Sequence, residues 1–255
     1  MKVALPEPFL TTPLAHRALH DVSDGRPENS RAAIRAAIAA GYGIEIDVQQ
    51  SADAQAMVFH DYALDRLAEA SGPIRAQTAA TLAQTALRGG EEGIPDLPEI
   101  LSLVAGQVPL LIEIKDQDGA MGPDIGPLEA AVASALEGYA GPVGVMSFNP
   151  HSVIRMAELC PETPRGLVTE AYEEKNWSLP AETRAHLREI PDYERAECSF
   201  ISHSIHDLDH PRVAELKAQG AAVLCWTVRS PEDEAQARKV AQNITFEQYL
   251  AALPA

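Results

Sequence analysis

The chain of 255 residues is poor in cysteine, in basic residues and in long apolar runs. Its three cysteines lie far apart, match no zinc-binding spacing and favour a reducing compartment. It has 20 Lys and Arg against 37 Asp and Glu, a formal net charge of −17. We therefore expect no binding to nucleic acid and none to an anionic membrane, because both need clustered positive charge.

No apolar run approaches the length of a membrane span. The first residues, Met1 to Pro6, also lack the apolar core of a signal peptide. These two absences predict a cytoplasmic protein without stable membrane anchoring. The sequence leaves the oligomeric state open.

Apolar β-rich segments alternate with helical patterns, which predicts an α/β fold with a parallel sheet. Nine segments resemble strands, and only a few residues separate those at 43–48 and 56–60. A parallel crossover needs about a dozen residues or more, so the second segment should return antiparallel as a hairpin arm. The eight remaining strands predict a (β/α)8 TIM barrel, with residues 1–255 forming a single domain.

Two long stretches do not fit the repeating unit. Residues 61–96 follow the hairpin arm as an inserted segment, and residues 170–198 are polar and punctuated by proline. Both are longer than ordinary loops, so we expect caps or lids.

Three carboxylates interrupt apolar strands. Glu45 and Asp47 point to the same side of one strand because side chains alternate, and Glu113 lies in the next barrel strand. Buried charges are costly unless paired or metal-bound. Oxygen ligands suit one hard divalent cation, Mg²⁺ or Ca²⁺, and the pattern does not separate the two. A structural ion-pair network is the alternative interpretation.

Charged and titratable residues flank these carboxylates. Arg17 and Lys115 suit phosphate binding, because Arg grips two oxygens and Lys adds a point charge. Lys115 could instead simply pair with a carboxylate. His16 and His60, brought close by the hairpin, suit general acid–base catalysis near neutral pH. A cation, a phosphate clamp and two histidines together predict phosphodiester cleavage.

The motifs, taken in the order in which they occur along the chain, resemble those of the glycerophosphodiester phosphodiesterase family, within the phospholipase-C-like barrel enzymes. The pieces that carry the resemblance are His16-Arg17, Pro27-Glu28-Asn29-Ser30, Glu45-Ile46-Asp47-Val48, Val58-Phe59-His60-Asp61, Glu113-Ile114-Lys115, Ser147-Phe148 and Trp226-Thr227-Val228.

The resemblance implies metal-dependent hydrolysis of a small glycerophosphodiester to sn-glycerol 3-phosphate and an alcohol. It places the metal on Glu45, Asp47 and Glu113, with His16 and His60 as the acid–base pair. Arg17 and Lys115 would hold the phosphate. Phe148 and Trp226, at strand ends, would shape the glycerol pocket.

Several positions depart from the family pattern. Ala18 stands where the family usually has glycine, and a positive φ there would carry a cost. The hairpin tip, Ser51-Ala52-Asp53-Ala54, also has alanine where glycine is common. The last strand leads into Phe246-Glu247 rather than Thr-Asp. Glu28 could cap the helix dipole or lie near the metal.

Other functions remain open. A lysophospholipase-D-like enzyme would apply the same chemistry to lipid diesters. A silent binder of glycerol phosphates would bind without turnover, and another metal-dependent hydrolase could use the same barrel. The remaining histidines, including His203, are interpreted as surface or loop residues, and the cysteines as buried small apolar residues.

Overall fold

The alternating strand pattern forms a closed barrel. The structure is a computed structural model that describes residues 2–254. Eight parallel strands close the barrel in the order β1, β2, β4, β5, β6, β7, β8, β9, with β9 pairing back to β1. The strands are β1 (Leu14–Ala15), β2 (Gly43–Gln50), β3 (Ala56–Val58), β4 (Leu110–Ile114), β5 (Val143–Ser147), β6 (Arg165–Thr169), β7 (Phe200–Ser204), β8 (Ala222–Val228) and β9 (Asn243–Phe246).

Helices follow most of the barrel strands. They are α1 (Pro8–Thr11), α2 (Arg31–Ala40), α3 (Ala79–Leu82), α4 (Leu97–Val104), α5 (Leu128–Leu136), α6 (Pro150–Leu159), α7 (Ala181–Arg188), α8 (Pro211–Ala218) and α9 (Pro231–Ala237). Within residues 2–254, none is long and apolar enough to cross a membrane.

The boundaries of α2 follow from local chemistry. The Ser30 hydroxyl accepts a hydrogen bond from the Ala33 N–H, an N-cap that contributes about 1 kcal/mol. Gly41 ends the helix at φ 78°, a left-handed conformation that glycine adopts without penalty. The sequence predicts a start near Asn29 or Ser30 and an end at Gly41, and Ser30 is the residue that caps the helix.

Two apolar layers hold the barrel. An inner cluster fills its axis and includes Leu111, Phe200 and Leu224, with Phe9 of α1 closing the end opposite the site. A larger outer cluster lies between the strands and the helices. Full burial of each large side chain contributes about 1.5–3 kcal/mol. The inner face of the barrel is apolar towards the amino ends of the strands and charged at their carboxyl ends.

The predicted hairpin arm is confirmed. β3 pairs antiparallel with β2, with Val48 opposite Val58 and Gln50 opposite Ala56. The arm is shorter than expected, because β3 ends at Val58 and His60 lies two residues beyond it. β1 likewise ends at Ala15, so His16 and Arg17 occupy the turn that follows the strand.

The first inserted segment, residues 61–96, has an apolar cluster of its own. It packs Leu64, Ile74 and Leu82, with further apolar residues, against Met57 and Phe59 beside the hairpin arm. The second segment, residues 170–198, contains α7 and the aromatic residues Tyr172 and Trp177, which pack beside Phe148.

The expectation that His203 is a surface or loop residue is wrong. His203 lies in β7 with no exposed area. Its Nε2 donates to the Asp207 carbonyl oxygen (3.0 Å), so Nδ1 accepts from the Thr169 hydroxyl (2.7 Å). Burial lowers its pKa to about 4 despite the Asp207 contacts. Of the cysteines, Cys198 and Cys225 are buried as expected, whereas Cys160 is partly exposed.

Candidate active site

The three carboxylates meet on the inner face of the barrel. Asp47 of β2 lies directly beside Glu113 of β4 in the strand register, and Glu45 lies two residues earlier on the same face. Their side chains are almost fully buried, with residue exposures of 2% for Glu45, 1% for Asp47 and 7% for Glu113. One oxygen from each lies within 4.8 Å of the other two.

Charge is unevenly compensated among these carboxylates. Burial raises the pKa of Glu45 well above its usual value, and the negative charges of Asp47 and Glu113 add to that effect. Burial also acts to raise the pKa of Asp47. The positive charges of Lys115, then of His60 and Arg17, outweigh burial and leave the pKa of Asp47 below its usual range.

Lys115 lies inside the cluster. Its Nζ is 2.7 Å from Asp47 Oδ1 and 2.6 Å from Glu113 Oε1. Burial alone would lower the pKa of this amine, but the two carboxylates raise it above its usual value, which keeps the amine protonated. In this arrangement Lys115 pairs with carboxylates, at the edge of the space where a phosphate would bind.

Arg17 connects the turn after β1 to the cluster. Its Nη1 donates to Glu28 Oε1 (2.9 Å), and its Nε lies 3.6 Å from Asp47 Oδ2. Its backbone N–H donates to Glu45 Oε2 (3.0 Å). Asn29 completes the support, because its Nδ2 donates to Asp47 Oδ2 (2.9 Å) and its Oδ1 accepts from the Asp47 N–H (3.2 Å).

This support requires unusual backbone angles. Arg17, Ala18 and Asn29 have φ values of 52°, 65° and 59°. The left-handed conformation costs an L-residue about 1–2 kcal/mol, so the cost expected for alanine at position 18 is present. Ala54, in the hairpin turn, has φ 59° and shares that cost.

Each histidine is held by a carboxylate. His16 Nδ1 is 2.6 Å from Glu247 Oε2, and His60 Nδ1 is 2.7 Å from Asp61 Oδ1. Within residues 2–254, neither Nε2 atom has a hydrogen-bond partner. Because Nδ1 is bonded to a carboxylate in both rings, Nε2 is the atom left to exchange a proton with a bound molecule.

Each of the carboxylates that hold the histidines is also hydrogen-bonded to an arginine. Arg229 Nε donates to Glu247 Oε1 (2.7 Å), and Arg66 donates to both Asp61 oxygens (2.7 Å each). Arg66 also donates to Glu28, which therefore connects it to Arg17.

Both histidines and the three carboxylates line one cavity of about 140 Å³. Its other wall contains Phe148 and Trp226, whose rings meet edge to face with centroids 5.6 Å apart. Trp226 is fixed by a hydrogen bond from its Nε1 to the Ser202 carbonyl oxygen (2.9 Å). All nine residues singled out from the sequence line this cavity. A larger open groove, about 560 Å³, lies beside Phe246, Glu247 and Tyr249 and is lined by none of the three carboxylates of the cluster.

Sequence reasoning missed several supporting residues. Asn29 and Asp61 lie within the quoted motifs, but the sequence indicates no role in the site for either of them. Glu247 was noted only as a departure from the family pattern. Arg66 has no sequence signal, because it lies in the inserted segment and reaches the site only through folding.

Comparison with known proteins shows the family of the chain. Residues 16–244 match the Glycerophosphoryl diester phosphodiesterase family. The chain belongs to this family. As a family member it is a glycerophosphodiester phosphodiesterase, and the match extends over the barrel strands that carry the site.

Individual relatives cover most of the chain. A glycerophosphodiester phosphodiesterase of Caldanaerobacter subterraneus subsp. tengcongensis is 27% identical over 237 residues, 88% of each chain. Among solved structures, an Oleispira antarctica phosphodiesterase in complex with the product sn-glycerol-3-phosphate superposes with a TM-score of 0.76 at 25% identity, covering 94% of both chains. A glycerophosphodiester phosphodiesterase of Parabacteroides distasonis shares the fold, with a TM-score of 0.73 at 22% identity over 92% of both chains.

The donor set fits a divalent cation. Three carboxylates contribute hard oxygen ligands of the kind that Mg²⁺ and Ca²⁺ prefer. Lys115 and Arg17 offset two of the three negative charges, and Arg17 is shared with Glu28. Burial first, and then repulsion from Asp47 and Glu113, raises the pKa of Glu45, and a bound cation would relieve that repulsion.

Proposed function

We propose that this glycerophosphodiester phosphodiesterase hydrolyses small soluble glycerophosphodiesters to sn-glycerol 3-phosphate and an alcohol, using a divalent cation and two histidines. The main support is that a buried carboxylate trio and two carboxylate-held histidines line one cavity. The complex of the Oleispira antarctica relative with sn-glycerol-3-phosphate supports the choice of product. The proposal treats residues 1–255 as one domain in the cytoplasm, without stable membrane anchoring.

Glu45, Asp47 and Glu113 would hold the cation. A bound cation supplies electrostatic stabilisation of phosphate oxygens as charge develops on them. Arg17 and Lys115 add positive charge at the edge of the same space and contact the phosphate. To do so, Lys115 would turn from the carboxylates with which it now pairs.

His16 and His60 would move the protons. One ring accepts the proton of the attacking hydroxyl at Nε2, and the other gives a proton at Nε2 to the departing alcohol oxygen. Attack by water would give sn-glycerol 3-phosphate directly. Attack by the glycerol 2-hydroxyl would expel the alcohol and give a cyclic phosphate, which water would then open to sn-glycerol 3-phosphate. Phe148 and Trp226 pack against glycerol carbons and exclude water from that side of the cavity.

The first test is release of glycerol 3-phosphate from glycerophosphocholine with Mg²⁺, with Ca²⁺ and with EDTA. We expect release with at least one metal and at least a 100-fold loss in EDTA. Undiminished turnover in chelator would refute the metal requirement, and no release with either metal would refute the substrate assignment.

A pair of variants distinguishes loss of turnover through damage to the site from loss of turnover through unfolding. Glu45→Gln removes one carboxylate from the cluster and should abolish metal-dependent turnover. Glu129→Gln is the matched control, because Glu129 is equally buried but lies in α5, where it accepts a hydrogen bond from the Ser152 hydroxyl (2.6 Å). Equal loss in both variants would indicate unfolding rather than chemistry.

One observation favours a second substrate class. The open groove of about 560 Å³ beside Glu247 carries two exposed aliphatic side chains, Val22 (58% exposed) and Leu250 (72% exposed). A lipid chain could lie there, which corresponds to a lysophospholipase-D-like activity. Turnover of lysophosphatidylcholine at least tenfold above that of glycerophosphocholine would replace the soluble substrate with the lipid one.

A further inference from the structure

Glu247 occupies a position with no catalytic assignment, yet it contacts His16 more closely than any other side chain does. Its Oε2 lies 2.6 Å from His16 Nδ1, and its Oε1 accepts from Arg229 Nε at 2.7 Å. The carboxylate is 11% exposed. Both oxygens are thus engaged, one by the imidazole and one by the guanidinium.

The three partners come from distant parts of the chain. His16 follows β1, Arg229 follows β8 and Glu247 follows β9, so the contact forms only when the barrel closes. Glu247 is also held through its backbone, because its N–H donates to the Val228 carbonyl oxygen (3.0 Å). Its position is therefore set independently of the histidine.

The charges around Glu247 keep it ionised. Burial alone would raise its pKa, but His16, His20 and Arg229 together lower it below its usual range. An ionised carboxylate accepts hydrogen bonds only. His16 must therefore carry its proton on Nδ1 when neutral, which leaves the Nε2 lone pair directed away from Glu247.

We propose that Glu247 is a positioning residue for His16: it selects the Nδ1–H tautomer and presents Nε2 to the phosphodiester, with Arg229 fixing the carboxylate. The inference rests on the acid–base role proposed for His16. The contacts of Glu247 parallel those at the second histidine, where Asp61 accepts a hydrogen bond from Arg66 and contacts His60 Nδ1.

The wild-type protein allows a direct test by ¹⁵N NMR of histidine rings in metal-free enzyme. Comparison with His16→Gln identifies the His16 signals among the eight histidines. We expect a neutral ring protonated on Nδ1. A ring protonated on Nε2 would overturn the inference without any variant of Glu247.

Glu247→Gln tests the consequence for catalysis. We expect kcat to fall about 10- to 100-fold, part of the ~10²–10⁴ that an acid–base group contributes. KM should change less than about threefold, because Glu247 does not line the cavity in which the substrate is proposed to bind. Glu247→Asp keeps the charge and should recover part of kcat.

The pKa of His16 is a second readout, because it would not change if Glu247 had a purely structural role. The groups facing this ring are Glu247 and Asp47, which raise its pKa, and Arg17, which lowers it, as burial also does. Loss of the Glu247 charge should lower the pKa of His16 by about one unit. An unchanged pKa, or an unchanged kcat, in Glu247→Gln would overturn the inference.

Glu234→Gln is the matched control. Glu234 also receives a hydrogen bond from an arginine Nε, that of Arg238 at 2.7 Å, and its side chain is 15% exposed. It contacts Tyr249 rather than His16. We expect wild-type kcat and an unchanged pKa of His16 in this variant.

The same measurements separate two kinds of failure. Full turnover in His16→Gln would refute the acid–base role of His16, and with it the proposed mechanism. Loss of turnover in His16→Gln without loss in Glu247→Gln would refute only the role of Glu247.

Discussion

The two sides of the barrel mouth differ in chemistry. The side formed by β1, β2 and β4 carries the carboxylates, both histidines, Arg17 and Lys115. The opposite side, formed by β5, β6 and β8, presents Met146, Phe148, Val168 and Trp226, with Arg229 as its charged exception. In the proposed function, phosphate chemistry belongs to the charged side and packing against the substrate carbons to the apolar side.

Positive backbone φ angles occur on both sides, since Tyr172, which packs against Phe148, has φ 50°. Arg17, Ala18 and Asn29 adopt positive φ on the charged side, and their backbone and side-chain groups support Glu45 and Asp47. On the charged side the costly angles position groups that support carboxylates, whereas the groups on the other side are held mainly by apolar packing.

The largest expected effect is on the charged side. Asp47→Asn removes one proposed ligand and a partner of both Lys115 and Asn29. We expect kcat/KM to fall by about 10³-fold or more, equivalent to ~4 kcal/mol of transition-state stabilisation. Steady-state kinetics across a range of Mg²⁺ concentrations measures it, and a loss below tenfold would contradict the assignment of Asp47 as a ligand.

The next effect concerns His203, the buried histidine outside the mouth. Its pKa in the folded protein is about 4, below the ordinary 6.5. Its contribution to stability is therefore complete above pH 6.5 and is lost as the pH falls towards 4, by up to about 3 kcal/mol. Urea unfolding between pH 7 and pH 4 should show this loss.

His203→Gln provides the comparison. The variant should have a flatter dependence of unfolding free energy on pH and should keep its turnover at neutral pH within about threefold. An unchanged pH dependence would assign the acid sensitivity to other groups, and a large loss of turnover would extend the functional site beyond the mouth.

A smaller effect is expected on the apolar side. Phe148→Ala removes a ring that packs against Trp226, Trp177 and Tyr172. We expect KM to rise about tenfold, or ~1.4 kcal/mol, with kcat changed much less, since the ring binds rather than reacts. Phe148→Leu should lose less. A fall in kcat with KM unchanged would break the division between the two sides.

The smallest effect tests strain on the charged side. Ala18→Gly relieves a φ of 65° in the folded state but adds freedom to the unfolded chain. The two terms oppose each other, and we expect a net gain in unfolding free energy of about 0.5 kcal/mol. Thermal or urea unfolding measures it, and a loss of stability would show that the alanine methyl group contributes more through packing.

Most of the fold was predictable because it depends on local pattern. The alternation of strands and helices, the short connection before Ala56, and the caps at Ser30 and Gly41 all act over a few residues. Strand ends were less accurate. The turn after Ala15 is set by contacts of Arg17 and Ala18 with Glu45, which lies on the neighbouring strand.

The residues of the candidate site were predictable by type and by position along the strands. Charged groups in apolar strands and a match to family motifs identified Glu45, Asp47 and Glu113, and the structure brings them together. Their roles as ligands stay predictions. The pairing of Lys115 with Asp47 and Glu113 was considered only as an alternative, because no pattern states which of several nearby charges a flexible amine will contact.

By itself, then, the sequence determined the barrel, the carboxylates at its mouth and the two histidines, since periodicity and strand-end position act within short segments. Tertiary structure alone decided how His16 is held and how Arg66 joins Glu28. Glu247 reaches His16 across 231 positions of the chain, and Arg66 reaches Glu28 across 38 positions. Such contacts depend on barrel closure and on side-chain packing, which bring together residues whose spacing along the chain carries no signal.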